Sequence, residues 1–290
     1  MSKALEKGCG FEFTPWTFCV EKKEQVRKLN CSGVNPEIYG NQVEIAMLGL
    51  PTIKVLMAAD IPILGGVHLS QRFRQIEPLQ FEEPITVAGQ IMEINPHPWG
   101  CILHSHFKYS RQNGYVCVEA ERSGIIAIGA KEPSRGILRP SETLEGFSEI
   151  TRRKLIPKSV AEYSNEAGNL IHSDPAVAAE HGFRAPIAAG LIGIHFYREA
   201  LQKAYQLNAF DLEVWFRRPI FWDDIMTLMA CKEKGRIRAM HLLCSSGKPA
   251  SNCIVHSVWC FLSKNSRQSF PMLITNASHG RGKDFYKKTI

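Results

Sequence analysis

No apolar run in this 290-residue chain reaches the roughly 18 residues needed to cross a bilayer. The opening Met1-Ser2-Lys3-Ala4-Leu5-Glu6-Lys7 lacks the apolar core of a secretory signal. Its nine cysteines are scattered and odd in number, and no Cys-x-x-Cys pair occurs. A disulfide framework and a structural zinc site are therefore not expected. Reduced, buried thiols in a cytoplasmic protein are the expectation instead. No glycine-rich nicotinamide or flavin motif is present, and no metal-ligand set, so no cofactor and no metal are expected.

What is present is an ordinary globular balance: 44% hydrophobic and 22% charged residues, with a net charge of +7. Part of the positive charge falls in Thr151–Lys158, part in His279–Lys288. Neither stretch interleaves bases with aromatics, so nucleic acid is not the expected partner. Such charge suits a solvated surface, or attraction of an anionic carrier such as the phosphates of coenzyme A.

The chain reads as two halves, each a helix followed by strands. In the first, Asn41–Asp60 is rich in Ile, Leu, Met and Ala and reads as a buried helix, with a break at Gly49 and Pro51. Strands follow from His68 and over Glu83–Ile94. Gly100–Tyr109 alternates, with Cys101, Leu103, Ser105, Phe107 and Tyr109 on one face. His104 and His106 share the other face, and His68 opens its strand; all three read as structural. Asn113-Gly114 marks a hairpin to Tyr115–Gly129. Lys131–Pro157 carries Pro133, Gly136, Pro140 and Gly146 and reads as a linker.

The second half repeats the order. A helix is expected over Lys158–Glu166, ended by Gly168, and a long one over Ala189–Gln206. Strands are expected at Glu213–Arg217, Ile225–Cys231, Ile237–Cys244 and Ser251–Leu262. The expected division is 1–130, a linker at 131–157, a second unit at 158–265 and a basic tail at 266–290. The repeat is one of element order only.

Between the second half's helices lie Asn169-Leu170-Ile171-His172-Ser173-Asp174 and then Gly182-Phe183-Arg184-Ala185-Pro186-Ile187-Ala188-Ala189-Gly190. An imidazole in one loop and unpaired N–H groups at a glycine-started helix are what enolate chemistry on a thioester needs. These segments resemble the signature of the MaoC-like dehydratases, the R-specific enoyl-CoA hydratases, which reads Asp-x-Asn-Pro-(Leu/Ile)-His-x-Asp and then Gly-Phe-x-x-Pro-Ile-Ala-His-Gly. Leu212–Asp224, with its Arg218-Pro219 step, adds to the likeness. The resemblance covers roughly residues 160–262, with a weaker echo over 42–128.

The resemblance implies an α+β, tandem (double) hot-dog fold, two helices each wrapped by an antiparallel sheet. It implies a hydratase or dehydratase acting on an acyl-CoA or acyl carrier protein thioester, with a homodimer among the expected assemblies. His172 takes the place of the base and Asn169 orders its turn. Asp174 supports the site or caps a helix, and Gly190 with Ala189 meets the thioester carbonyl. The first half is expected to shape a tunnel for a long acyl chain. Two positions depart from the pattern: Ala167 stands where the family has its proton-transferring Asp, and Ala189 where it has His. Glu166, one residue earlier, is the nearest carboxylate that could substitute. Two other functions remain open: a degenerate acyl-binding or scaffold protein, and a thioesterase using Glu199.

Overall fold

The computed structural model describes residues 2–127, 137–164 and 168–260, together with strands at 272–275 and 286–288. One large antiparallel sheet organises it. The first half contributes β1 (Glu12–Phe18), β2 (Val67–Gln75), β3 (Ile85–His97), β4 (Gly100–Arg111) and β5 (Val116–Ala127). The second contributes β7 (Phe147–Lys154), β8 (Ala209–Phe216), β9 (Ile225–Glu233), β10 (Arg236–Leu243) and β11 (Pro249–Cys260). The order across the sheet is β1-β3-β4-β5-β2-β8-β11-β10-β9-β7. Read outward from the β2–β8 seam, both halves run second, fifth, fourth, third, first. The repeat of element order is thus also a repeat of strand order.

Alternation explains which face is which. On β4 and β5, Leu103, Phe107 and Tyr109 join Val118, Ala120 and Ile126 on the inner, core-facing side. Leu69, Ile102 and Ile125 form a smaller cluster on the outer side. At the seam, Arg72 on β2 grips Asp211 on β8 with two hydrogen bonds of 2.8 Å. This outer-face clamp reinforces the ladder that joins Ser70 to Trp215 and Gln75 to Phe210. β1 contains Pro15 and a register shift between Phe13 and Trp16, both tolerable because it lies at the sheet's edge.

Among the described residues, five α-helices precede the longest one. They are α1 (Lys3–Lys7), α2 (Lys22–Cys31), α3 (Gly49–Ala58), α4 (Pro157–Ser164) and α5 (Pro175–Glu180). The sixth, α6 (Gly190–Tyr205), runs 16 residues, and α3 runs 10. The break expected inside Asn41–Asp60 is real: a 3₁₀ turn spans Ile45–Leu48, and α3 begins at Gly49 with Pro51 in its first turn, where a missing N–H costs nothing. α6 begins and ends where its period stops. Ala189 is its N-cap, and Gln206 closes it in the left-handed region at φ 50°. The starts of the two helices meet, since a Cβ on Gly49 would stand 2.6 Å from Leu191 Cδ1. One apolar core runs through both halves and includes Leu56, Phe73, Phe107, Ile192, Phe196 and Leu212.

The structure differs from the sequence reading in two places. The stretch read as a linker holds β7, the outermost strand of the second half, paired with β9 from Phe147↔Cys231 to Lys154↔Ile225. It also holds β6 (Leu138–Pro140), which pairs with β13 (Tyr286–Lys288) of the basic tail; β12 (Met272–Thr275) adds to β11. Prolines and glycines around these short strands obscure their period. The β4–β5 hairpin, in turn, is connected by residues 112–115, and of the Asn113-Gly114 pair Gly114 alone has positive φ, at 80°. The Asn113 side chain accepts from Tyr115 N at 3.0 Å, which holds the loop.

Glu44 is a buried charge with partners in both halves. Its Oε2 accepts from Ala46 N at 2.9 Å and lies 2.7 Å from His195 Nδ1; its Oε1 lies 3.9 Å from Arg198 Nε. His195 Nε2 contacts Tyr163 OH at 2.9 Å. Glu44→Ala leaves the Arg198 guanidinium without its counter-charge. It is expected to lower unfolding free energy by about 3–5 kcal/mol, whereas Arg152→Met, which breaks the exposed pair with Glu149, costs about 1 kcal/mol or less. Urea titration of both variants checks the ranking.

Candidate active site

The loop between α4 and α6 is built by capping. Asn169 Oδ1 accepts from Ile171 N at 3.3 Å and starts the 3₁₀ turn Leu170–His172. Asp174 Oδ1 accepts from Ala176 N at 2.8 Å and Val177 N at 3.4 Å, with Pro175 at the first position of α5. Asp174 is therefore committed to a helix N-terminus, which gives it a local structural task.

Three strands of backbone then converge. Ile187 N donates to Ile171 O at 3.1 Å, Ala188 N to Ile220 O at 2.7 Å, and Trp222 N to Pro186 O at 3.0 Å. Arg184 reinforces the junction: its guanidinium pairs with Asp223 at 2.9 Å and lies 4.0 Å from the Phe221 ring centre. The motif's Pro186-Ile187-Ala188 is thus held between the His172 turn and the chain following β8.

His172 points its Nδ1 at Ile187 O, 2.8 Å away. A carbonyl can only accept, so Nδ1 carries the proton. Nε2 of the neutral ring then holds the free lone pair. Burial pushes the imidazole below its ordinary value, and the Ile187 bond opposes that shift only in part. A neutral histidine anchored at one nitrogen is the form a general base requires. Ile187 lies three residues before Gly190, so the ring is fixed close to the start of α6.

The N-terminus of α6 has no side-chain cap, because Ala189 offers no acceptor. Ile192 N donates to Ala189 O at 2.9 Å, so Gly190 and Leu191 carry the N–H groups that precede the first intrahelical bond, and the helix dipole adds positive potential there. Gly190 is packed tightly: a Cβ there would stand 2.9 Å from Phe216 Cε1. Phe216, at the end of β8, lies in turn against His68, with ring centres 4.5 Å apart. His172 is thus tied to Ile187, two residues before Ala189 and three before Gly190, and Asn169 caps the turn that carries it. Glu166 and Ala167 lie outside the described residues.

Other candidates are placed elsewhere. Glu199 is buried, ion-paired with Arg153, and 2.7 Å from Lys203 Nζ. A carboxylate so engaged is not available to attack a thioester. Arg153 also accounts for part of the Thr151–Lys158 charge, turned inward rather than to solvent. His104 bonds Ser123 Oγ at 2.7 Å on the outer sheet face, away from α6. Two contributors have no local sequence signal: the Ile187 carbonyl that fixes the tautomer of His172, and the Phe216 ring that meets Gly190. The Gly-Phe-x-x-Pro-Ile motif marks the first only by position.

Gly190→Ala tests the tightness of this corner. The added methyl must displace the Phe216 ring, so kcat/KM on a thioester substrate is expected to fall at least about tenfold, while Ala at a first-turn position costs the helix itself little. A steady-state assay beside a thermal melt separates the two effects.

No family model matches the chain, and no curated protein matches it in sequence. Among solved structures, HtdX of Mycobacterium tuberculosis superposes with a TM-score of 0.66 at 18% identity, covering 83% of this chain and 99% of that one. A MaoC-like dehydratase from Phytophthora capsici gives a TM-score of 0.63 at 15% identity, covering 87% and 98%. An acyl-ACP thioesterase from Bacteroides thetaiotaomicron gives 0.54 at 10% identity, covering 84% and 96%. With the antiparallel sheet and the α6 packing described above, these likenesses identify the fold as a hot-dog fold, the one the MaoC-like dehydratases share.

Proposed function

We propose that the protein is a hydratase or dehydratase of acyl thioesters, R-specific in the manner of the proteins whose signature it resembles. The observation that carries this reading is the His172 Nδ1–H bond to Ile187 O, which leaves Nε2 as a lone-pair base beside an uncapped helix N-terminus. In the hydration direction, His172 Nε2 takes a proton from water as the water oxygen bonds to Cβ. The π electrons move to the thioester oxygen, where the N–H of Gly190 meets the developing charge. Cα is then protonated and the carbonyl re-forms. Glu166 is the proposed donor of that proton, in place of the absent Asp at position 167.

Within this reading the chain is a tandem hot-dog. The C-terminal unit, residues 158–265, is catalytic, and the N-terminal unit walls the acyl group. The equal strand order of the two halves supports that division. The substrate carrier is coenzyme A or an acyl carrier protein. A cytoplasmic setting belongs to the same proposal and is supported by eight described cysteines, all free. The thioesterase alternative has a relative in the fold, but the ion-paired Glu199 supplies it with no nucleophile.

The test is turnover of crotonyl-CoA and longer trans-2-enoyl-CoA substrates, followed as loss of enoyl absorbance. Wild type is expected to be active, and His172→Ala and Glu166→Gln are expected to lose about a hundredfold or more. Absence of turnover on every enoyl thioester, with acyl-CoA still bound, moves the protein to the binding-module reading.

The lowered titration of His172 fixes the pH dependence. The neutral base persists as pH falls to the ordinary imidazole value of about 6.5, so kcat/KM holds there and declines only at lower pH. An acid limb at or above that value contradicts the assignment.

A further inference from the structure

The inner face of the first half is not purely apolar. Across the sheet, Ser105 on β4, Arg122 on β5 and Gln71 on β2 sit in register with one another. They share the face that carries Phe107, Ala120 and Phe73. Arg122 is 9% exposed and Ser105 3%. Among the described residues Arg122 has no carboxylate partner, and Ser105 Oγ has no hydrogen-bond partner. Gly124 lies beneath the guanidinium, since a Cβ there would stand 2.9 Å from Arg122 Nη1. His68 pairs in register with that same Gly124, and its Nε2 is sealed from solvent and likewise unpartnered.

Burial lowers the Arg122 guanidinium to about 10, so it still carries its charge at neutral pH. Burial, and then Arg122 itself, hold the His68 ring well below the usual imidazole range. A buried cation without a carboxylate partner is costly, and with Ser105 Oγ and His68 Nε2 unpartnered beside it the patch is unlike a hydrocarbon tunnel; Ser70 and Gln71 hold the rest of the His68 ring. The patch is also close to the chemistry. The His68 ring lies 4.5 Å from Phe216, whose edge meets Gly190. The rings of Phe216 and His68 therefore lie between Gly190 and the patch.

We propose that Arg122, Ser105 and His68 form a subsite for a carboxylate carried on the far end of a short acyl chain, so that the substrate is the thioester of a dicarboxylic acid. The guanidinium fork meets the carboxylate and Ser105 donates its hydroxyl proton. The neutral His68 ring lines the patch beside them. On this proposal the acyl chain is short and its far end is met by charge. The inference rests on the hydratase reading for the position of the thioester, but not for the anion site itself.

The test pairs trans-2-hexenedioyl-CoA with trans-2-hexenoyl-CoA as substrates, and the unreactive adipyl-CoA with hexanoyl-CoA as ligands in calorimetry. In wild type the diacid is expected to win by at least about tenfold in both kcat/KM and Kd. In Arg122→Met that ratio is expected to fall about a hundredfold, through KM, the scale of a lost charged hydrogen bond. A melting curve checks the fold of the variant, and the wild-type ratios stand without it. Equal handling of the two chains by wild type, or a ratio unchanged in Arg122→Met, overturns the proposal. If neither enoyl thioester turns over but adipyl-CoA still binds tighter in an Arg122-dependent way, the hydratase reading fails and the carboxylate subsite stands. Adipyl-CoA binding no better than hexanoyl-CoA removes the subsite whatever the turnover.

Discussion

A single buried carboxylate, that of Glu44, ties the two halves together where the chemistry needs them joined. It starts the 3₁₀ turn ahead of α3 by accepting from Ala46 N, and its own N–H donates to Gln25 Oε1 at 2.6 Å. The same group faces His195 and Arg198 on α6, and His195 passes the contact on to Tyr163 on α4. Arg198 also lies 4.0 Å from the Phe210 ring centre, so its charge is shared between a carboxylate and an aromatic face. A buried ionic cluster adds little net stability over apolar packing, but it tolerates few alternative placements of its members. Here it sets where α6 sits along its own axis. That fixes where Gly49 meets Leu191 and where the α6 N-terminus opens beside His172.

The proposed site inherits its division of labour from that placement. The second half supplies the base, the capped loop and the helix N-terminus. The first half supplies the opposite wall, with His68 reaching Phe216 across the β2–β8 seam. Arg72 of the outer clamp and Gln71 of the inner row are neighbours on β2, facing opposite ways. A strand that alternates sides can serve a structural joint on its outer face and the proposed subsite on its inner one.

Much of this was legible in the sequence, for local reasons. The helix over Ala189–Gln206 carries its own period, and the strand from Gly100 shows its alternation. Asn169 and Asp174 are residue types that cap, and they do so. The motif around His172 and Gly190 announced a loop and a helix start that the structure brings together. What was not legible depends on partners far apart in the chain. Nothing near Glu44 indicates His195, and nothing near His172 indicates that Ile187 contributes its carbonyl. β7 is a strand because β9 lies beside it, while its own residues Phe147–Lys154 are mostly polar and partly exposed. The Ser105–Arg122–Gln71 row could not be read, because cross-strand register is not a property of any one segment.

The central claim is that His172 rests as a neutral imidazole with its proton on Nδ1 and its lone pair facing the helix N-terminus. Nitrogen-15 NMR of the imidazole, assigned by comparison with His172→Ala, tests this without any substrate. The account predicts the Nδ1–H tautomer at pH 7, with a protonation midpoint below the ordinary value of about 6.5. A resting Nε2–H tautomer, or an imidazolium still present at pH 7, would contradict it.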